Sequence, residues 1–269
     1  MTRTKCLLLG VAALALTSYS ASAAGFVNGS FEDGTASGWT VGAGFRGNTP
    51  DPALTAADVL PGGSLNAGSG ARSQVVGTGY VDPRLGSVLG STVYSGDFAY
   101  RVEDTTSGGF ASAISQTVVG YTDPSISFAW KAVLENGGHV AEQSALLQIA
   151  LRDDTTGTNI LTRTYNAAAG GGGIDSRFSV INSVFYTPVW QIERIDIDPS
   201  LLGHTFTLSI LAADCEPTGH TGYAYLDAVG ALLPTSETSV PEPTSLALYG
   251  AGLLGLCLAR RRRAAHQPS

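Results

Sequence analysis

Cysteine and lysine are nearly missing from this 269-residue chain. The three cysteines are Cys6, Cys215 and Cys257. Cys6 borders an apolar stretch near the start and Cys257 lies in one near the end, so the body between them holds a single thiol and no internal disulfide. A lone thiol is either buried or reactive, and burial is expected for Cys215. Several catalytic signatures are also missing. There is no Gly-x-Ser-x-Gly, no His-Glu-x-x-His, no Cys-x-x-Cys and no phosphate-cradling glycine loop. No apolar pattern of period 3.6 persists over ten residues of the body, which argues against a helical fold.

What is present begins with a leader. Arg3 and Lys5 precede an apolar run, CLLLGVAALAL, that is too short to span a bilayer stably. Ala21-Ser22-Ala23 supplies the small-x-small pattern read by signal peptidase, which places cleavage after Ala23. The other end carries VPEPTSLALYGAGLLGLCLARRRR. Its apolar part, residues 244–259, makes roughly 24 Å of helix against a hydrocarbon core of about 30 Å. Arg260, Arg261, Arg262 and Arg263 follow at once and favour the cytoplasmic side, which leaves the body outside the membrane. Pro241-Glu242-Pro243, the short helix and the arginine cluster, in this order, resemble the PEP-CTERM sorting signal of Gram-negative bacteria. The resemblance implies recognition by the membrane enzyme exosortase and removal of the helix, after a transient stay in the membrane. The expected organisation is a signal peptide at 1–23, one domain at 24–233, a linker at 234–240, the sorting signal at 241–263 and a cytoplasmic tail at 264–269.

Charge narrows the partners. The whole chain carries fifteen basic and twenty-two acidic residues. Leader and tail hold six of the bases and one acid, Glu242, so the body keeps nine bases against twenty-one acids. Its only lysine is Lys131. A body this acidic argues against nucleic acid and anionic lipid as partners.

The body reads as β-strands. SISFAWKAVL places Ile126, Phe128, Trp130, Ala132 and Leu134 on one face. HTFTLSIL alternates Phe206, Leu208 and Ile210 inward with Thr205, Thr207 and Ser209 outward. Similar runs lie at 26–31, 39–41, 98–102, 111–119, 144–153, 160–165, 177–186, 191–197 and 221–232, separated by Gly, Asp, Asn and Pro. About ten strands predict an all-β, antiparallel sandwich of the jelly-roll kind. Residues 46–90, rich in Gly, Pro, Ser and Ala, read as long inserted loops.

Two motifs sharpen this. VNGSFEDGTASGWT, residues 27–40, resembles the opening of carbohydrate-binding-module-like, galactose-binding-like jelly rolls. ADCEPTGHTGYAYLDAV, residues 213–229, resembles their closing strand. The resemblance implies that first and last strands are neighbours, and that Glu32 and Asp227 share a structural Ca²⁺. Hard Ca²⁺ suits paired carboxylate oxygens. Trp190, after Pro188 in an expected loop, and Tyr223 and Tyr225, in phase with Asp227, are the candidate faces for sugar stacking. Trp39 and Trp130 read as structural. A softer metal set from Cys215, His220 and His139 needs His139 to arrive from a distant strand, and Cys-x4-His is a loose spacing. Cys215 and His220 are therefore expected to be scaffold, with the imidazole bonded to a nearby carbonyl in a glycine-punctuated turn. The leading reading is an exported, non-enzymatic surface or matrix protein with a structural or adhesive role. A polysaccharide-binding module is the alternative, and a secreted hydrolase is the more distant one.

Overall fold

A computed structural model of the chain describes residues 25–68 and 72–230. The expected signal peptide and linker and the sorting signal, with Ala23, Pro241, Glu242, Pro243 and Arg260 to Arg263, lie outside the described residues. Among the described residues twelve strands, numbered in chain order, form two antiparallel sheets. The five-stranded sheet runs β1 (Thr40–Phe45), β4 (Phe110–Val118), β11 (Phe206–Ala213), β6 (Leu146–Asp153), β7 (Thr158–Asn166). The seven-stranded sheet runs β2 (Gln74–Gly77), β3 (Phe98–Val102), β12 (Gly222–Gly230), β5 (Ser125–Glu135), β9 (Val184–Tyr186), β8 (Ser179–Ile181). β10 (Gln191–Asp196) pairs with the first half of β5.

The strand periodicity explains the core. Phe206, Leu208 and Ile210 of β11 meet Ile126, Phe128, Trp130 and Leu134 of β5 between the sheets. Trp130 is only 1% exposed, as its place among apolar neighbours predicts. The expected run at 177–186 is a hairpin, β8 and β9, turned by Asn182 and Ser183 at φ of 46° and 63°. Two consecutive left-handed residues are what a tight two-residue hairpin turn requires.

Two expectations need correction. Residues 26–31 are turns rather than a strand. The segment still docks on the last strand: Val229 donates its N–H to the Gly29 carbonyl at 2.9 Å. A Cβ at Gly29 would lie 1.8 Å from the Val229 oxygen, so only glycine fits. Residues 46–90 are also more than loops. Their first part carries a one-turn helix, α1 (Ala56–Val59), and packs Leu54, Val59, Leu60 and Leu65 on Ala111, Ala113, Leu146 and Leu211. This covers one end of the outer face of the five-stranded sheet. The second part supplies β2 and begins a lid, residues 78–97, that lies over the outer face of the seven-stranded sheet. There Leu85, Leu89 and Val93 pack against Ala99, Val133, Tyr223 and Tyr225. β5 is therefore buried on both faces.

Candidate functional site

Because the helix-bearing segment covers only one end of the five-stranded sheet, the rest of its outer face lies open beside it. The result is a groove of about 510 Å³ walled by Thr55, Ala56 and Leu60. Its floor follows from the alternation of β4, β11, β6 and β7. Strand pairing sets Ser115, Ser209, Ala150 and Thr162 in one row. Thr117, Thr207, Arg152 and Asn159 form the next, and Ala113, Leu211, Gln148 and Thr164 another. The floor thus mixes the hydroxyls of Ser115, Ser209, Thr162, Thr164 and Thr207, the amides of Gln148 and Asn159 and the Arg152 guanidinium with the aliphatic side chains of Ala150 and Leu211. Thr117 and Thr207 share a hydroxyl hydrogen bond of 2.7 Å, and Thr207 donates to Asp154. Arg152 Nε lies 3.3 Å from Asp154 Oδ1, and its side chain is half exposed. Asp154 is the single carboxylate in the lining, and no aromatic ring lies there.

The sequence pointed to the other sheet. Tyr223 and Tyr225 do point outward with Asp227, but the lid closes over them and both are fully buried. Their hydroxyls donate to Asp82 of the lid at 2.7–2.9 Å. They cannot offer a face to sugar, because their rings are the floor under the lid. Trp190 is half-buried against the same lid. Its Nε1 donates to the Ser91 carbonyl at 3.1 Å, Tyr94 meets it edge-on at 5.9 Å, and Lys131 Nζ lies 5.8 Å from its ring. It is a support for the lid rather than an exposed platform.

Glu32 and Asp227 hold the same stretch of lid. Glu32 accepts from the amides of Asp97 at 3.0 Å and Phe98 at 3.1 Å. Asp227 accepts from Tyr94 at 2.8 Å and Ser95 at 3.1 Å. A β-bulge after Asp227, with Ala228 at φ 54°, aims its carboxylate there. Burial pushes the Asp227 carboxyl up to about 7, against the pull of these amides. The two carboxylates are thus a clamp on backbone N–H groups, and those donors occupy the oxygens that the resemblance assigns to Ca²⁺. Lys131, buried under the lid, donates to the carbonyls of Leu89 and Ser91. Burial draws its ammonium down to about 8.

A third group forms at one end of the sandwich, where two connections cross between the sheets. The β5–β6 connection brings His139 and the β11–β12 connection brings Cys215 and His220. The connections bond to each other, Glu216 N–H to the Gln143 carbonyl at 3.0 Å and Glu135 N–H to the Thr221 carbonyl at 2.9 Å. Cys215 is fully buried, as expected. His220 departs from expectation. Its Nδ1 faces His139 Nε2 at 3.2 Å and Cys215 Sγ at 3.4 Å, so the ring meets side chains. Sequence reasoning also missed the groove; the outward hydroxyls of β11 were its one visible sign.

Among the described residues no helix is long and apolar enough to cross a membrane. No curated protein matches the chain. Solved structures with a similar β-sandwich include TmCBM61 in complex with β-1,4-galactotriose, 14% identical over 75% of this chain and 93% of that one, TM-score 0.39. The Caldicellulosiruptor saccharolyticus CBM27-1 in complex with mannohexaose is 13% identical over 77% of this chain and 96% of that one, TM-score 0.37. A cleaved adhesin domain of Lys-gingipain from Porphyromonas gingivalis is 13% identical over 75% and 94%, TM-score 0.35. Residues 239–263 match the PEP-CTERM protein-sorting motif, which marks an exported protein with a C-terminal anchoring tail.

Proposed function

We propose that this exported protein is a non-catalytic component of the cell surface or extracellular matrix of a Gram-negative bacterium, with a structural or adhesive role. In this reading signal peptidase removes the leader and exosortase the tail, and the groove binds extracellular polysaccharide. One observation carries the binding reading: the rows of hydroxyls, amides and one guanidinium on an open sheet face. Sugar hydroxyls both donate and accept, and such a floor answers them with both kinds of partner. Without an aromatic platform each contact is weak, so affinity comes from many contacts along a polymer. The lone carboxylate in the lining supports binding rather than glycoside hydrolysis, which needs a second acid across the bond.

The test is calorimetry and glycan arrays with the producer's own polysaccharide. Arg152→Ala and Gln148→Ala should each weaken binding about tenfold, equivalent to roughly 1.4 kcal/mol. Both residues lie on the outer sheet face, so melting should hold. No binding to any polysaccharide, or binding indifferent to both substitutions, would refute the groove.

A further inference from the structure

We propose that His139 Nε2, His220 Nδ1 and Cys215 Sγ form a zinc site, which ties together the two connections that cross between the sheets. All three ligand atoms lie within 4.8 Å of one another. Zn–N bonds of about 2.0 Å and a Zn–S bond of about 2.3 Å set tetrahedral ligand atoms roughly 3.3–3.6 Å apart. The His139–His220 and His220–Cys215 separations, 3.2 and 3.4 Å, are close to that spacing. Two imidazoles and a thiolate are a donor set that selects zinc over calcium or magnesium.

Three further features fit this reading. The CEPTGH turn wraps its sulfur, with the His220 N–H donating to Sγ at 3.1 Å, an arrangement that stabilises a thiolate. Cys215 is fully buried, so its sulfur is hidden from a substrate but within reach of an ion held by the two half-buried imidazoles. Gly137 keeps the place clear: a Cβ there would sit 2.1 Å from His220 Nδ1 and 2.6 Å from His139 Nε2. Its conformation is not a left-handed one, so space is what makes it glycine. Sulfur binds zinc as the thiolate, so the thiol proton leaves for solvent as the Zn–S bond forms. Three protein ligands leave one position for water or a fourth ligand.

The site is independent of the groove, and its test uses Zn²⁺ itself. The full chain, stripped with chelator, should take up one zinc per molecule, release a proton as it does so, and melt higher. Co²⁺ in its place should show a thiolate-to-metal charge-transfer band. Cys215→Ser should lose the band, and His139→Ala should lose the zinc. Gly137→Ala should lose zinc with every ligand still present. His139 lies on a half-exposed connection, so far-ultraviolet circular dichroism of His139→Ala should remain that of the native sandwich. Absence of stoichiometric zinc in the folded protein would overturn the proposal. So would uptake unchanged in both His139→Ala and Gly137→Ala. Polysaccharide binding measured on the same variants should stay intact, which keeps failure here distinct from failure of the groove.

Discussion

Replacing Asp82 by alanine tests whether the lid is held by polar groups as well as by packing. The Asp82 side chain is buried and accepts four hydrogen-bonding groups: the hydroxyls of Tyr223 and Tyr225 and the amides of Arg84 and Leu85. Asp82→Ala leaves two hydroxyls orphaned inside a covered face. Each orphan costs about 1–3 kcal/mol, and the amides can turn to water as the lid loosens. A total of about 3–4 kcal/mol is expected, a large share of the roughly 5–15 kcal/mol that holds a typical domain folded. In a domain of this size that lowers Tm by roughly 10 °C. The same step frees Arg84, whose side chain already stands partly exposed on the lid. Trypsin should therefore cut after Arg84 in the variant well before it cuts the native protein. A triple variant, Asp82→Leu with Tyr223→Phe and Tyr225→Phe, removes the acceptor together with its two hydroxyl donors and should recover most of the loss. If Asp82→Ala melts within a degree of the native protein and resists trypsin at Arg84, the lid is held by packing alone and the reasoning fails.

Two other outcomes follow from the same carboxylates. Calcium and chelator should leave Tm unchanged, because amide donors already face Glu32 and Asp227, while Glu32→Ala should reduce stability by about 1–2 kcal/mol; a calcium-dependent rise in Tm would show that a cation belongs there. Burial, then the Glu103 charge, raises the Asp214 carboxyl to about 8, and burial raises Asp227 to about 7. The folded state therefore binds more protons than the unfolded chain between about pH 4 and pH 8, and stability must fall as pH rises through that window. The lowered carboxyls of Asp33, Asp153, Asp175 and Asp198 act only below it, where their stabilisation is lost on acidification. Urea unfolding should thus show a lower midpoint at pH 8 than at pH 5, and a rise over that interval would contradict the burial of both groups.

The parts of this fold that were legible in the sequence are those where one physical rule acts locally. β11 shows it best. A strict alternation of Phe206, Leu208 and Ile210 with Thr207 and Ser209 announces both a strand and its inner face. The same rule misled at Tyr223 and Tyr225. Period two says that they point away from Leu226, but it cannot say whether water or a lid lies beyond. The lid is built from a glycine-rich segment whose packed residues, Leu85, Leu89 and Val93, stand four apart rather than alternating, with Gly86 and Gly90 between them, so the alternation that marks a strand gave no sign of its docking. What fixes it is a set of scattered polar partners, Asp82, Lys131, Glu32 and Asp227, of which the sequence singled out only Glu32 and Asp227, and those as a cation pair.

The His139–Cys215–His220 group was visible in the sequence as a set of residue types, but its assembly was not. His139 and His220 stand eighty-one positions apart, and their meeting depends on the crossings between sheets. A motif search sees only the loose Cys-x4-His half. Topology supplies the rest, since β5 and β11 both end at the same edge of the sandwich and each hands the chain to the opposite sheet. A metal bound there would link the two crossings directly. Gly137 marks the place at the level of sequence, but its meaning emerges only once two imidazoles from different connections are seen to occupy the space that its missing side chain leaves.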